Sequence, residues 1–251
     1  MRGFAVYIMA NVHNGFLHNI HGRMKIAENL TAIQSRVAEV ARAAGRNPAE
    51  VKLLAVSKTF PAESVAEAYA VGQRCFGENR VQELEAKAPI LPREIEWHQI
   101  GHLQANKVRG ALKFASWIHA VDSLSLLQRI ERLANEMNTH PKLLLEVNIS
   151  GEGSKFGLRP EEVAPLLEWL PEDAPAPIVG LMTMAPFDVP ETTLHEVFGG
   201  LRALRDRLQQ ETGHPLPELL MGMSGDFEVA IQEGATIVRV GSAIFGHREY
   251  T

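Results

Sequence analysis

From residue 26 onwards the apolar positions follow two alternating rhythms. Ile26, Leu30, Ile33, Val37 and Val40 recur three or four residues apart, the spacing that gives a helix one apolar face. Gly45 follows and suits a left-handed C-terminal cap. The run LLAVS at 53–57 comes next and reads as a strand buried on both faces. The alternation then repeats. Helices are predicted at 62–71, 79–88, 103–113, 123–138, 160–170, 192–211 and 226–233. Strands are predicted at 74–78, 96–101, 117–121, 142–148, 177–184, 218–223 and 236–241. Several boundaries carry their own chemistry. Ser123 can cap the helix whose inner face is Leu127, Ile130, Leu133 and Met137. Pro160 suits a first helical turn. Thr193 with Glu196 resembles a capping box, and Gly213 can close that helix.

Eight strands alternating with helices in about 200 residues favour an α/β fold, a single (β/α)₈ TIM barrel, over an open sheet. Only about ten residues follow the last strand, too few for a closing helix. The helix that precedes the first strand is expected to fill that eighth position. Residues 24–251 then form one barrel domain, and residues 1–23, which lie outside the periodic pattern, form an N-terminal extension expected to be loosely ordered. Without that extension about 228 residues remain, the size of one such barrel.

Composition narrows the class. The chain has 251 residues, 45% of them hydrophobic and 22% charged, as in ordinary globular proteins. A net charge of −5 points away from nucleic acid and anionic membranes. No apolar run reaches the ~20 residues needed to span a bilayer. The apolar patch from Phe4 to Ala10 is broken by Asn11, His13 and Asn14, which is not a secretory pattern. Cys75 is the only cysteine and has no disulfide partner. It reads as a buried, inert thiol, and the expected location is cytoplasmic.

In a barrel of this kind the working groups sit where strands end. The candidates there are Lys58, Glu78, Asn79, His98, Gln99, Asp122, Asn148, Met182 to Met184, Ser224, Gly241 and Ser242. Lys58 emerges from a buried strand. A lysine shielded from water there would lose basicity and become nucleophilic, although a surface lysine at a strand end is the blander alternative. The loops after strands seven and eight read GMSGDF (222–227) and VGSAIFG (240–246). Barrels often bind phosphate at those two places, where glycines let backbone N–H groups approach an anion. Ser224 adds a hydroxyl, and the helix starting near Asp226 adds its N-terminus. A lysine on strand one facing a phosphate cup suggests a phosphorylated aldehyde held as a Schiff base. Arg239 shares a strand face with Gly241. It either pairs with a buried carboxylate or donates to the ring nitrogen of a heteroaromatic ligand.

The segments AVSKTF (55–60), FGENRVQE (76–83), WHQIGHLQANK (97–107), KFGL (155–158), GLMTM (180–184), MGMSGDFEVAI (221–231) and VRVGSAIFG (238–246) together resemble the YggS/PROSC pyridoxal 5′-phosphate homeostasis proteins. That family is a single barrel similar to the N-terminal domain of alanine racemases. The resemblance covers about residues 25–250. It implies that pyridoxal 5′-phosphate (PLP) is the cofactor and that Lys58 holds it as a reversible Schiff base. Ser224, Gly241 and Ser242 would hold the phosphate, Arg239 would face the pyridine nitrogen, and Asn79 and His98 would lie near the cofactor. Many members carry an acidic residue at the position of Gly225, a difference expected to matter little.

The resemblance implies a PLP carrier with little or no turnover. The alternative is a PLP-dependent, racemase-like amino-acid enzyme. Racemases of this fold add a second domain and a tyrosine from a partner subunit. Here the three tyrosines, Tyr7, Tyr69 and Tyr250, stand in no catalytic context. A third reading is a cofactor-free enzyme in which Lys58 acts on a sugar phosphate. Expected partners are PLP and PLP-dependent apo-enzymes as recipients, with the chain itself a monomer. His98 and His102 are four apart but straddle Gly101 and do not make a zinc motif. Lys155 follows strand five, as a solvated loop lysine or a second phosphate ligand.

Overall fold

A computed structural model of the chain describes residues 25–151 and 156–246. The N-terminal extension and Lys155 lie outside them. The strands are β1 (Lys52–Val56), β2 (Cys75–Glu78), β3 (Glu96–Gln99), β4 (Trp117–Val121), β5 (Lys142–Glu146), β6 (Ile178–Met182), β7 (Glu218–Leu220) and β8 (Ile237–Val240). They pair in sequence order into a closed barrel, β8 returning to β1, with every pairing parallel. Between them run α2 (Ala62–Ala70), α3 (Val81–Lys87), α4 (Val108–Ala111), α5 (Leu124–Met137), α6 (Pro160–Trp169), α7 (Glu191–Thr212) and α8 (Phe227–Gln232). A helix at 25–43, α1, precedes β1, and a four-residue helix, α9 (Ser242–Phe245), follows β8. No helix of the described residues is long and apolar enough to cross a membrane.

Alternation along each strand builds two apolar layers. One set of side chains, Leu54, Val56, Ile100, Trp117, Ala120, Leu144, Met182, Leu220 and Ile237, fills the barrel itself. The residues between them, such as Ala55, Phe76, Ile118, Leu145 and Val238, belong to the larger cluster shared with the helices. Strands buried on both faces have to read as unbroken apolar runs, and this is why the sequence pattern locates them. Register shifts in β4 and on the β5–β6 pairing mark irregularities in the wall.

Helix α1 takes the eighth position, as expected. Its Ile26, Leu30, Val37, Val40 and Ala41 are buried. Polar bonds tie it to the end of the chain. Asn29 Nδ2 donates to the Ile244 carbonyl at 3.0 Å, and Arg36 makes a paired contact with Glu228 on α8 at 2.6 and 2.5 Å. Gly45 and Gly213 both have φ of 71°, the left-handed turns read from the sequence. Ser123 caps α5 by accepting from the Leu126 N–H at 3.4 Å.

Two local expectations fail. Helix α7 begins at Glu191 behind Pro190, so Thr193 lies inside its first turn and makes no cap. The predicted helix at 103–113 shrinks to a 3₁₀ turn and four residues of α4, a segment that contains Gly110, a weak helix former.

Candidate functional site

The C-terminal ends of the strands surround a cavity of about 660 Å³. Lys58, Asn79, Ser224, Arg239, Gly241 and Ser242 line it, so six of the seven expected site residues come together there. Lys58 lies in the turn after β1. Neighbouring bonds hold that turn: Ser57 N–H donates to the Gly77 carbonyl at 3.1 Å, and Thr59 N–H donates to Glu83 at 2.9 Å. Thr59 has φ of 70°, a costly conformation for a β-branched residue. Beneath the turn, buried Glu78 accepts from Ser57 Oγ and from Lys87 Nζ, each at 2.7 Å. Lys87 also donates to the Ser57 carbonyl at 3.0 Å. Burial pushes the Glu78 carboxyl up to about 8.

On the opposite side the two glycine loops meet. The Gly241 N–H donates to Ser224 Oγ at 3.4 Å, joining the β7 and β8 loops into one corner. Gly222 has φ of 91°, and a Cβ there would lie 2.6 Å from that of Ala230. Only glycine fits that approach of the loop to α8. A Cβ on Gly225 would meet nothing within 4 Å, so a larger residue at that position has room.

Arg239 lies in the barrel wall with 5% of its surface exposed. Its Nε and Nη2 are buried and have no hydrogen-bond partner among the described residues. Burial lowers its pKa, while Glu146 and Asp226 raise it through space. The same burial raises both Glu146 and Asp226, and the Arg239 charge opposes each shift. The guanidinium therefore has acidic company, yet two of its donors stay unspent beside the cavity. A heteroaromatic acceptor is what such donors fit. The walls suit a flat ring: His102 stacks with Phe156 at 4.7 Å, and Phe60 packs on Phe245 at 5.2 Å.

His98 is the exception. It does not line the cavity. Strand alternation puts His98 and Ile100 on one face, and Ile100 occupies the rim. His98 lies one layer deeper, 1% exposed, stacked on Trp117 at 5.2 Å and bonded to His119 at 2.8 Å. Burial lowers the pKa of both histidines. The residue that reaches the cavity is His102, held by Asp122 at 3.2 Å. A Cβ on Gly101 would lie 2.3 Å from the Asn79 carbonyl, so the chain needs glycine there to bring His102 round. The two histidines thus do not share a site. Glu146 was missed altogether, although a lone glutamate in the run KLLLEV was a readable signal. Cys75 is not a free nucleophile, because burial and Glu96 push its thiol up to about 12.

Residues 29–249 match the family described as alanine racemase, N-terminal domain. The pyridoxal phosphate homeostasis protein of Aquifex aeolicus is 42% identical over 228 residues, which covers 90% of this chain and 100% of that protein. Its namesake in Pseudomonas aeruginosa is 43% identical over 226 residues, covering 90% and 96%. The chain belongs to this family. The structure of PipY from Synechococcus elongatus PCC7942 with PLP bound is 40% identical, with a TM-score of 0.79 over 88% of this chain and 100% of that one. An alanine racemase of Clostridium difficile 630 shares the fold at 16% identity, with a TM-score of 0.67, and this chain covers 57% of it.

Proposed function

We propose that this chain is a PLP homeostasis protein that binds the cofactor reversibly in the C-terminal cavity, with Lys58 as the amine. The observation that carries this reading is the convergence of Lys58, the Ser224–Gly241 corner and the unspent donors of Arg239 on one cavity. Pyridoxal phosphate supplies an aldehyde that condenses reversibly with a primary amine, and a pyridine ring that withdraws electrons most strongly when protonated.

Each residue has a definite task. Lys58 presents its Nζ from a turn fixed on both sides. Ser224 would offer its hydroxyl proton to the phosphate, Gly241 holds the Ser224 oxygen in place through its N–H, and Ser242 would offer its backbone N–H, as the first turn of a helix leaves it free. Arg239 would donate to the ring nitrogen. An arginine keeps its proton at neutral pH, so it orients the ring without protonating it. That favours holding the cofactor over turning substrate over. Asn79 and His102, which line the cavity, would flank the ring, and the aromatic pairs would exclude water. The protein acts as a cytoplasmic monomer, with PLP-dependent apo-enzymes as recipients.

The test is the absorption spectrum of the protein with added PLP, before and after borohydride, followed by peptide mapping. A visible band, and a reduced cofactor fixed on Lys58, are expected; both should vanish in Lys58→Ala. A colourless wild-type protein would refute binding at this lysine. Exchange at Cα of L-amino acids in deuterated water at enzymic rates would refute the carrier reading and favour a racemase-like enzyme.

A further inference from the structure

The other end of the barrel holds a second group of chemistry-bearing side chains. Cys75 opens β2, and Glu96 opens β3 directly beside it in register. His98 stands two residues along β3, on the same face as Glu96. One ligand atom from each lies within 4.8 Å of the others. Cys75 Sγ is 3.4 Å from Glu96 Oε1, and His98 Nε2 is 3.0 Å from the same oxygen. None of the three lines the Lys58 cavity.

We propose that Cys75, Glu96 and His98 bind a divalent transition-metal ion of the zinc type at the N-terminal end of the barrel. Zinc bonds of about 2.0–2.3 Å to N, O and S make tetrahedral edges of roughly 3.3–3.6 Å, close to the 3.4 and 3.0 Å that separate Glu96 Oε1 from the sulfur and the imidazole. Sulfur and imidazole together select zinc, cobalt or copper over magnesium or calcium. Three protein ligands leave a fourth position for water. Access exists: the Glu96 side chain is 37% exposed, and a surface cavity of about 290 Å³ borders Cys75.

The surroundings are built as a support. His98 Nδ1 faces His119 Nε2 at 2.8 Å, and the His98 ring is clamped on Trp117. A metal-bound histidine is commonly oriented through its other nitrogen in this way. The metal on Nε2 requires the ring proton on Nδ1, where His119 can accept it. The thiol proton leaves to solvent, and thiolate plus carboxylate then balance the dication. The nearby cations are engaged elsewhere. Lys52 pairs with Glu218 at 3.4 Å, and Lys52 and Lys142 lie over the Trp117 ring at 5.3 and 4.8 Å.

Cobalt(II) titration of the full chain tests this. Cys75 is the only thiol, so a near-ultraviolet sulfur-to-cobalt charge-transfer band can come from no other residue. One equivalent should produce it, with intense visible bands of tetrahedral cobalt. Cys75→Ser should abolish the charge-transfer band. His119→Ala should weaken cobalt affinity about 10- to 100-fold, as for other supporting partners. Independently of any variant, one equivalent of zinc should displace most of the cobalt and remove the charge-transfer band. Absence of the band in the wild-type protein, or a band that zinc leaves unchanged, overturns the proposal. Imidazole-only binding, for example at His13, His18 or His21, would show neither signature and would also count against it.

Discussion

The two ends of the barrel interior spend their polar groups differently. At the N-terminal end the charged side chains are paired or stacked: Lys52 with Glu218, His98 with both Glu96 and His119, and two lysines over Trp117. At the C-terminal end Arg239 keeps two donors without partners, and the turn carrying Lys58 includes a threonine in a left-handed conformation. Buried polar groups are normally satisfied, and exceptions cluster where a ligand will complete them. The floor is thus held mainly by paired charges, although Trp117 Nε1 and His119 Nδ1 there lack partners among the described residues, while the rim keeps whole guanidinium donors for a ligand.

The largest expected effect breaks the floor. Trp117→Ala removes the ring on which His98 stacks and over which two lysines lie. It should cost about 3–5 kcal/mol in denaturant unfolding. A loss below about 1 kcal/mol would mean that this end is not the structural one.

The next variant acts in the opposite sense. Arg239→Met combined with Glu146→Gln removes both the buried guanidinium with its orphaned donors and the carboxylate that faces it, so the cofactor-free protein should gain about 1–2 kcal/mol. PLP affinity should fall in the same variant. A destabilised protein with unchanged affinity would reverse the roles assigned to the two ends.

The smallest effect lies in the outer layer and serves as a control. Burial raises Glu131 on α5 to about 7, against the Ala176 N–H that lowers it. Its folded pKa exceeds the unfolded value near 4.3. Its contribution is thus fully present below about pH 4 and is lost as pH rises through about 7. Glu131→Gln should flatten that decline by on the order of 1 kcal/mol after solvent screening. Thermal unfolding at pH 5 and pH 8 measures it, and PLP binding should not change.

Much of this was legible from residue order. A strand buried on both faces has to be apolar throughout, so the eight runs located themselves, and the strand-end rule then brought six of seven site residues to the cavity. What failed was depth. Along a strand each pair of residues advances about 6.6 Å, and that distance separates His98 in the interior from Ile100 at the rim. Sequence periodicity shows which face a residue is on, but the height at which the cavity begins depends on how the side chains of all eight strands fill the barrel. His102 reached the site because Gly101 lets the chain pass close to Asn79, a contact across two loops that no local pattern encodes.

The closure of the barrel also bears on how the protein is made. β1 pairs with β8, joining Lys52 to Ile237, α1 is held by the Glu228 carboxylate and the Ile244 carbonyl, and Arg46 just after it donates to the Ile231 and Ala235 carbonyls. Helix α1 therefore leaves the ribosome well before the residues that hold it. A nascent chain keeps the apolar face of α1 waiting until almost the whole sequence has left the ribosome. Translation, at about 5–20 residues per second, thus sets a minimum delay of roughly ten seconds or more during which that face needs shielding.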